Sequence, residues 1–188
     1  MNLIPLAIGI IAIFVQLLVQ DVQADVGVRA SSPLEIELLT IADYAAFNKF
    51  YKLTPTTLSH SKRVEMAKQN LTTWYTTMIH STNLVYKGLE DHNIFISIKL
   101  VDFRIMTTEA DSPWTETTKF QVDSTYYVDS DDVHPLFKAT SLEYQKTVPH
   151  DHAMLFTGYE LRHGPHGSNY AGNAYIAAEC KSKESDHC

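Results

Sequence analysis

Cysteine is scarce in this chain, with two in 188 residues, Cys180 and Cys188, both in the C-terminal tail. That excludes a disulfide-built miniature fold, which needs several bridges in place of a core. The pair either closes a short loop on itself or waits for partners elsewhere, and its spacing is neither that of a thioredoxin site nor that of a zinc ribbon. Positive charge is also short, with 15 Lys and Arg against 22 Asp and Glu and a formal charge of −7. The basic residues are scattered, as in Ser61-Lys62-Arg63, and form no stripe that would follow a phosphate backbone or an anionic bilayer. Nucleic acid and membrane are therefore not expected partners. Several chemical signatures are missing as well. The sequence contains no G-x-S-x-G elbow, no phosphate-binding loop and no dinucleotide fingerprint, and no histidine is followed by glutamate, so it holds no H-E-x-x-H.

What is present begins with an apolar run from Leu3 to Val15 and a small-x-small site at Val22-Gln23-Ala24. Gln16, Gln20 and Asp21 interrupt the run before it reaches the ~20 apolar residues that span a bilayer. The layout is that of a cleaved leader over residues 1–24, which places the mature chain from about Asp25 outside the cell. Residues 25–188 make one domain's worth of chain, and no later segment is long and apolar enough to span a membrane. Asn70-Leu71-Thr72 is an N-glycosylation acceptor, relevant because the leader delivers the chain to the compartment where it is used.

Pro33 to Tyr44, with Ile36, Leu38, Leu39 and Ile41, reads as a nearly continuous apolar strand, a pattern that calls for cover on both faces. A short helix is expected from Ala42 to Tyr51, ended near Pro55. Val64, Ala67, Leu71, Trp74, Met78 and Val85 then recur at three- and four-residue steps, predicting a long amphipathic helix over Lys62–Leu89 with Gly88 as its stop. Asn93 to Met106 alternates and then changes phase, the mark of a strand with a bulge near Leu100. Residues 107–130 are rich in Thr, Asp and Ser and read as an extended surface insertion. Asp131 and Asp132 are expected to cap a second helix, which leads to a strand through His152–Gly158 and a last strand at the sheet edge. The expected fold is α/β, a mixed and mostly parallel twisted sheet flanked by helices in the order βαβαββ.

Nine histidines raise the question of a metal. His150 and His152 would share one face of a strand, and His163 and His166 lie in a Gly-rich loop, but two loose pairs fall short of the three or four convergent ligands zinc requires. Asp111, Glu116, Asp129, Asp131 and Asp132 could pair for acid and base work, although charges in a polar insertion are more commonly a solvated face. No catalytic residue is assigned from the sequence.

Taken in order, Glu35–Phe50, the long helix before Asn93–Met106, Asp151–Leu161 and Asn169–Cys180 resemble the first half of the reprolysin catalytic domain. This is the metzincin zinc metalloprotease family of snake-venom haemorrhagic proteases, ADAM proteins and secreted arthropod salivary and venom enzymes. The resemblance covers Leu34 to Cys180. It implies that Gly172, Asn173, Ala174, Tyr175 and Ile176 form an edge strand above the catalytic cleft, pairing with an extended peptide substrate by strand addition. Asn173 departs from the family, which usually places a leucine there. The resemblance also implies a structural calcium, with Glu37 and Asp151 matching two of its ligands, half a site at best against the six to eight oxygens calcium prefers. The family then continues into a zinc-binding H-E-x-x-H-x-x-G-x-x-H helix that these residues do not contain, so zinc is not expected to bind here and the chain is expected to be an incomplete, inactive form of a secreted metalloendopeptidase. The alternative is a non-catalytic secreted binding protein on a protease scaffold. An unrelated ligand-binding barrel is disfavoured by the long early helix.

Overall fold

The computed structural model describes residues 33–165, 167, 169 and 170. The leader, His166, the segment 172–176 and both cysteines lie outside the described residues.

Strand β1 (Leu34–Ala42) is the centre of a three-stranded parallel sheet, flanked by β2 (Ile96–Ile105) and β5 (His152–Phe156). The pleat sends alternate side chains to opposite faces, and both are covered. Leu39 and Ile41 join Met106, Trp114, Val133 and Phe137 on one side, while Leu38 and Ala42 pack on the other against the helices between β1 and β2. The expected double cover is therefore present. The expected bulge is too: Leu38 pairs with Leu100 but Leu39 with Asp102, so Val101 is the extra residue of β2.

Helices α1 (Tyr44–Lys52) and α2 (His60–Lys87) link β1 to β2. Helix α2 starts two residues before Lys62 and ends at Gly88, and it buries Ala67, Leu71, Tyr75, Met78, Thr82 and Tyr86 along one stripe. Near its C-terminal end the Asn83 side-chain amide donates to Ile98 O at 2.8 Å and accepts from Ile98 N at 2.7 Å, taking up one backbone pair on the outer margin of β2. Two buried tyrosines on this stripe have opposite accounts. Tyr75 stacks on Phe103 at 4.7 Å, and its hydroxyl meets Thr40 Oγ1 and Met154 Sδ. Burial pushes the Tyr86 phenol up to about 12, and its hydroxyl has no partner among the described residues. Removing a satisfied hydroxyl strands its partner, whereas removing an unsatisfied one relieves a desolvation cost. Tyr75→Phe is thus expected to lower stability by ~1–2 kcal/mol and Tyr86→Phe to leave it unchanged or raise it by up to ~1 kcal/mol, checked by urea unfolding of both variants.

Residues 107–130 are not an extended surface insertion. They fold into α3 (Pro113–Glu116) and the antiparallel hairpin of β3 (Lys119–Val122) and β4 (Thr125–Asp129), and they place Trp114 and Val128 in the interior. Their hydroxyls are engaged locally, Thr117 and Thr118 bonding back to Pro113 O and Trp114 O. Asp123 takes a left-handed φ of 54° at the hairpin turn. Helix α4 (Ser130–Gln145) is capped by Asp129, whose carboxylate accepts from Asp131 N at 3.0 Å, rather than by Asp131 or Asp132. Strand β4 pairs in parallel with β6 (Glu160–Arg162), which pairs with β7 (Asn169–Tyr170) to complete a four-stranded mixed sheet. The α/β class holds, but among the described residues there are two small sheets in place of one, because the hairpin and β6–β7 pair with each other. No helix among the described residues is long and apolar enough to cross a membrane.

Candidate functional site

Ligands of open α/β sheets gather beyond the carboxyl ends of the strands, where β1 and β5 here run into a buried knot of polar groups. Asp43 follows β1 and is fully buried. Its backbone N–H donates to Phe156 O at 3.0 Å. Its carboxylate caps α1 through Ala46 N at 2.7 Å and accepts from Gly158 N at 3.0 Å and Thr157 Oγ1 at 2.6 Å. Burial raises the carboxyl's pKa, and these donors work against the rise. From the knot a second chain of bonds runs outward. Tyr159 N donates to Thr157 Oγ1 at 3.1 Å, Tyr159 Oη to Glu116 Oε1 at 2.9 Å, and Lys119 Nζ to Glu116 Oε2 at 2.5 Å. Burial, then the Glu116 carboxylate, pushes the Tyr159 phenol well above its ordinary range. Each hydroxyl and carboxylate here is committed to a neighbour, so the knot is a brace. It fixes the turn from β5 into β6.

The other sequence-assigned residues fall into separate places. Glu37 on β1 and Asp151 ahead of β5, 114 positions apart, are neighbours. Glu37 N donates to Asp151 Oδ2 at 3.1 Å and Asp151 N to Glu37 O at 2.9 Å. The Glu37 carboxylate is engaged by Lys99 Nζ at 2.8 Å, so two acids and a competing ammonium supply far fewer oxygens than calcium takes. His150 and His152 do not share a strand face. Strand β5 begins at His152, and His150 is buried in the preceding loop with Nδ1 2.7 Å from Val148 O. Asp111 closes a capping box with Thr108, which with other bonds to its carboxylate lowers its pKa.

The convergence that sequence reading missed is Asp129, Asp131 and His163, whose ligand atoms all lie within 4.8 Å of one another. His163 Nδ1 stands 2.9 Å from Asp131 Oδ2, both exposed. Strand register creates the cluster by pairing Asp129 with Arg162, and nothing local in the sequence signals it. It sits at the positive end of α4, where a cation is disfavoured, and its carboxylates already cap the helix and pair with the imidazole. Neither this set nor Glu37 with Asp151 fits the zinc centre the resemblance implies. Asn70 is exposed on α2.

No protein-family model matches this chain, and comparison with curated proteins and with solved structures finds no match either.

Proposed function

We propose that these residues form the docking scaffold of a secreted protein of the reprolysin type, which holds an extended peptide along Gly172, Asn173, Ala174, Tyr175 and Ile176 and performs no hydrolysis with the residues in hand. The observation that supports it best is the meeting of Glu37 and Asp151. The resemblance names them as a pair, and they are bonded neighbours across 114 positions of sequence. The parallel order of β2, β1 and β5 agrees with it. Peptide-bond hydrolysis of the family's kind needs a zinc-bound water and a glutamate base, and the 188 residues contain no H-E-x-x-H. The chemistry left is capture by main-chain hydrogen bonds with pockets for alternate side chains.

The test uses the secreted chain, a quenched-fluorescent peptide library for cleavage and fluorescence anisotropy for binding. Cleavage no faster than the blank, with or without added zinc, is expected beside saturable binding of extended peptides. Tyr175→Pro, which removes a main-chain donor, is expected to abolish the binding. Chelator-sensitive cleavage would overturn the non-catalytic part. Failure of every extended peptide to bind would overturn the docking part.

A further inference from the structure

Asn70-Leu71-Thr72 is an acceptor sequence laid into the middle of a docked helix, and the two circumstances conflict. Transfer requires one enzyme cleft to hold the Asn amide and the hydroxyl two residues on. In an extended chain, side chains i and i+2 point to the same side. In α2 the same two residues are about 200° apart around the axis, and they flank the buried stripe on opposite sides. Leu71, between them, is fully buried with Ala42, Ala46, Phe47 and Ala67. The Thr72 carbonyl is also held by the Thr76 hydroxyl at 2.9 Å, one turn further into the helix. Presenting this tripeptide to an enzyme therefore means withdrawing Leu71 from the core and unwinding the helix around it.

The finished molecule nevertheless has room for a sugar. Asn70 is exposed, as are Lys68, Gln69 and Thr73 beside it, so a glycan would project from the outer face of α2 without displacing a core side chain. The product is compatible with the fold, and the reaction is not.

We infer that Asn70 takes an N-linked oligosaccharide only on the unfolded chain and that docking of α2 closes the acceptor, so that folding and modification compete for the same residues. The donor is an oligosaccharide on a lipid diphosphate. The anomeric C–O bond breaks, the C–N bond to Asn70 Nδ2 forms, the diphosphate leaves with the electron pair, and the amide proton is released to solvent. The inference needs entry to the secretory pathway, which rests on residues 1–24, and the experiment separates the two by including a chain with a foreign leader in their place.

Both chains are translated into microsomes, and lumenal product is weighed before and after enzymatic removal of N-glycans. A partial mass shift is expected, lost completely in Asn70→Gln and Thr72→Ala. Leu71→Ala, which weakens docking of the helix, is expected to raise the glycosylated fraction. Purified, folded, unglycosylated chain offered to the solubilised transferase is expected to gain nothing, while a synthetic 66–76 peptide is modified under the same conditions. Lumenal product from the foreign-leader chain without a shift would overturn the site. Equal modification of folded chain and peptide, or no rise in Leu71→Ala, would overturn the competition.

Discussion

Gly158→Ala is expected to remove at least ~3 kcal/mol of stability, a large share of the ~5–15 kcal/mol a domain has in hand. A methyl group there would stand 2.2 Å from Ala45 C, 2.3 Å from Ala46 N and 2.5 Å from Ala45 O. All three are backbone atoms at the start of α1, so no flexible side chain can swing away. To relieve the contact, the 157–159 turn would have to withdraw, breaking the bond from Gly158 N to Asp43 and the contacts that Thr157 and Tyr159 make around it. Thermal unfolding by circular dichroism is the measurement, and at ~2–4 °C per kcal/mol for a chain of this size the midpoint should fall by roughly 6–12 °C. An unchanged midpoint would mean that the close approach of this turn to α1 is not a feature of the folded molecule.

Asp43→Ala should be comparably damaging, at ~3–5 kcal/mol, because it leaves the N–H groups of Ala46 and Gly158 and the hydroxyl of Thr157 buried without an acceptor. Asp43→Asn keeps the shape and one acceptor oxygen and should cost less. The pair also reports on protonation. Because burial raises the folded-state pKa of Asp43 above its unfolded value, the folded state holds this proton more tightly. The resulting stabilisation is full below the ordinary carboxylate range and is lost as pH rises through the raised value. The stability of the parent chain relative to Asp43→Asn should therefore improve as pH falls from neutral toward the usual Asp range. Urea unfolding of both proteins across that interval measures the difference. A constant difference would show that the hydrogen bonds hold the carboxyl at its unfolded value.

Periodic apolar spacing made α2 and β1 legible in the sequence, and a change of phase in that spacing marked the bulge in β2. These signals are local and repeat over many residues. Nothing in the sequence singled out Asp43. Its bonds to Thr157 and Gly158 join residues 114 and 115 positions away, and no local pattern encodes them. The segment 107–130 misled for a different reason. Its Thr and Ser content suggests exposure, yet those hydroxyls are satisfied within turns, and a few apolar residues such as Trp114 and Val128 carry the burial. Of the candidate residues, the Glu37–Asp151 adjacency was expected on resemblance, while Asp129, Asp131 and His163 meet only because β4 and β6 pair.

Asn83 gives the three-stranded sheet a guarded margin. Within the described residues β2 has β1 on one side only, and an unpaired margin invites copies of the same chain to zip together. Here the guard belongs to α2 rather than to the strand, because a helical amide imitates the missing neighbour at Ile98. Self-association through β2 is thereby tied to the docking of the last turns of α2. Fraying of that helix end would free the N–H and C=O of Ile98 for another strand while the rest of the molecule stayed folded, so self-association of concentrated protein should rise with local opening of the end of α2.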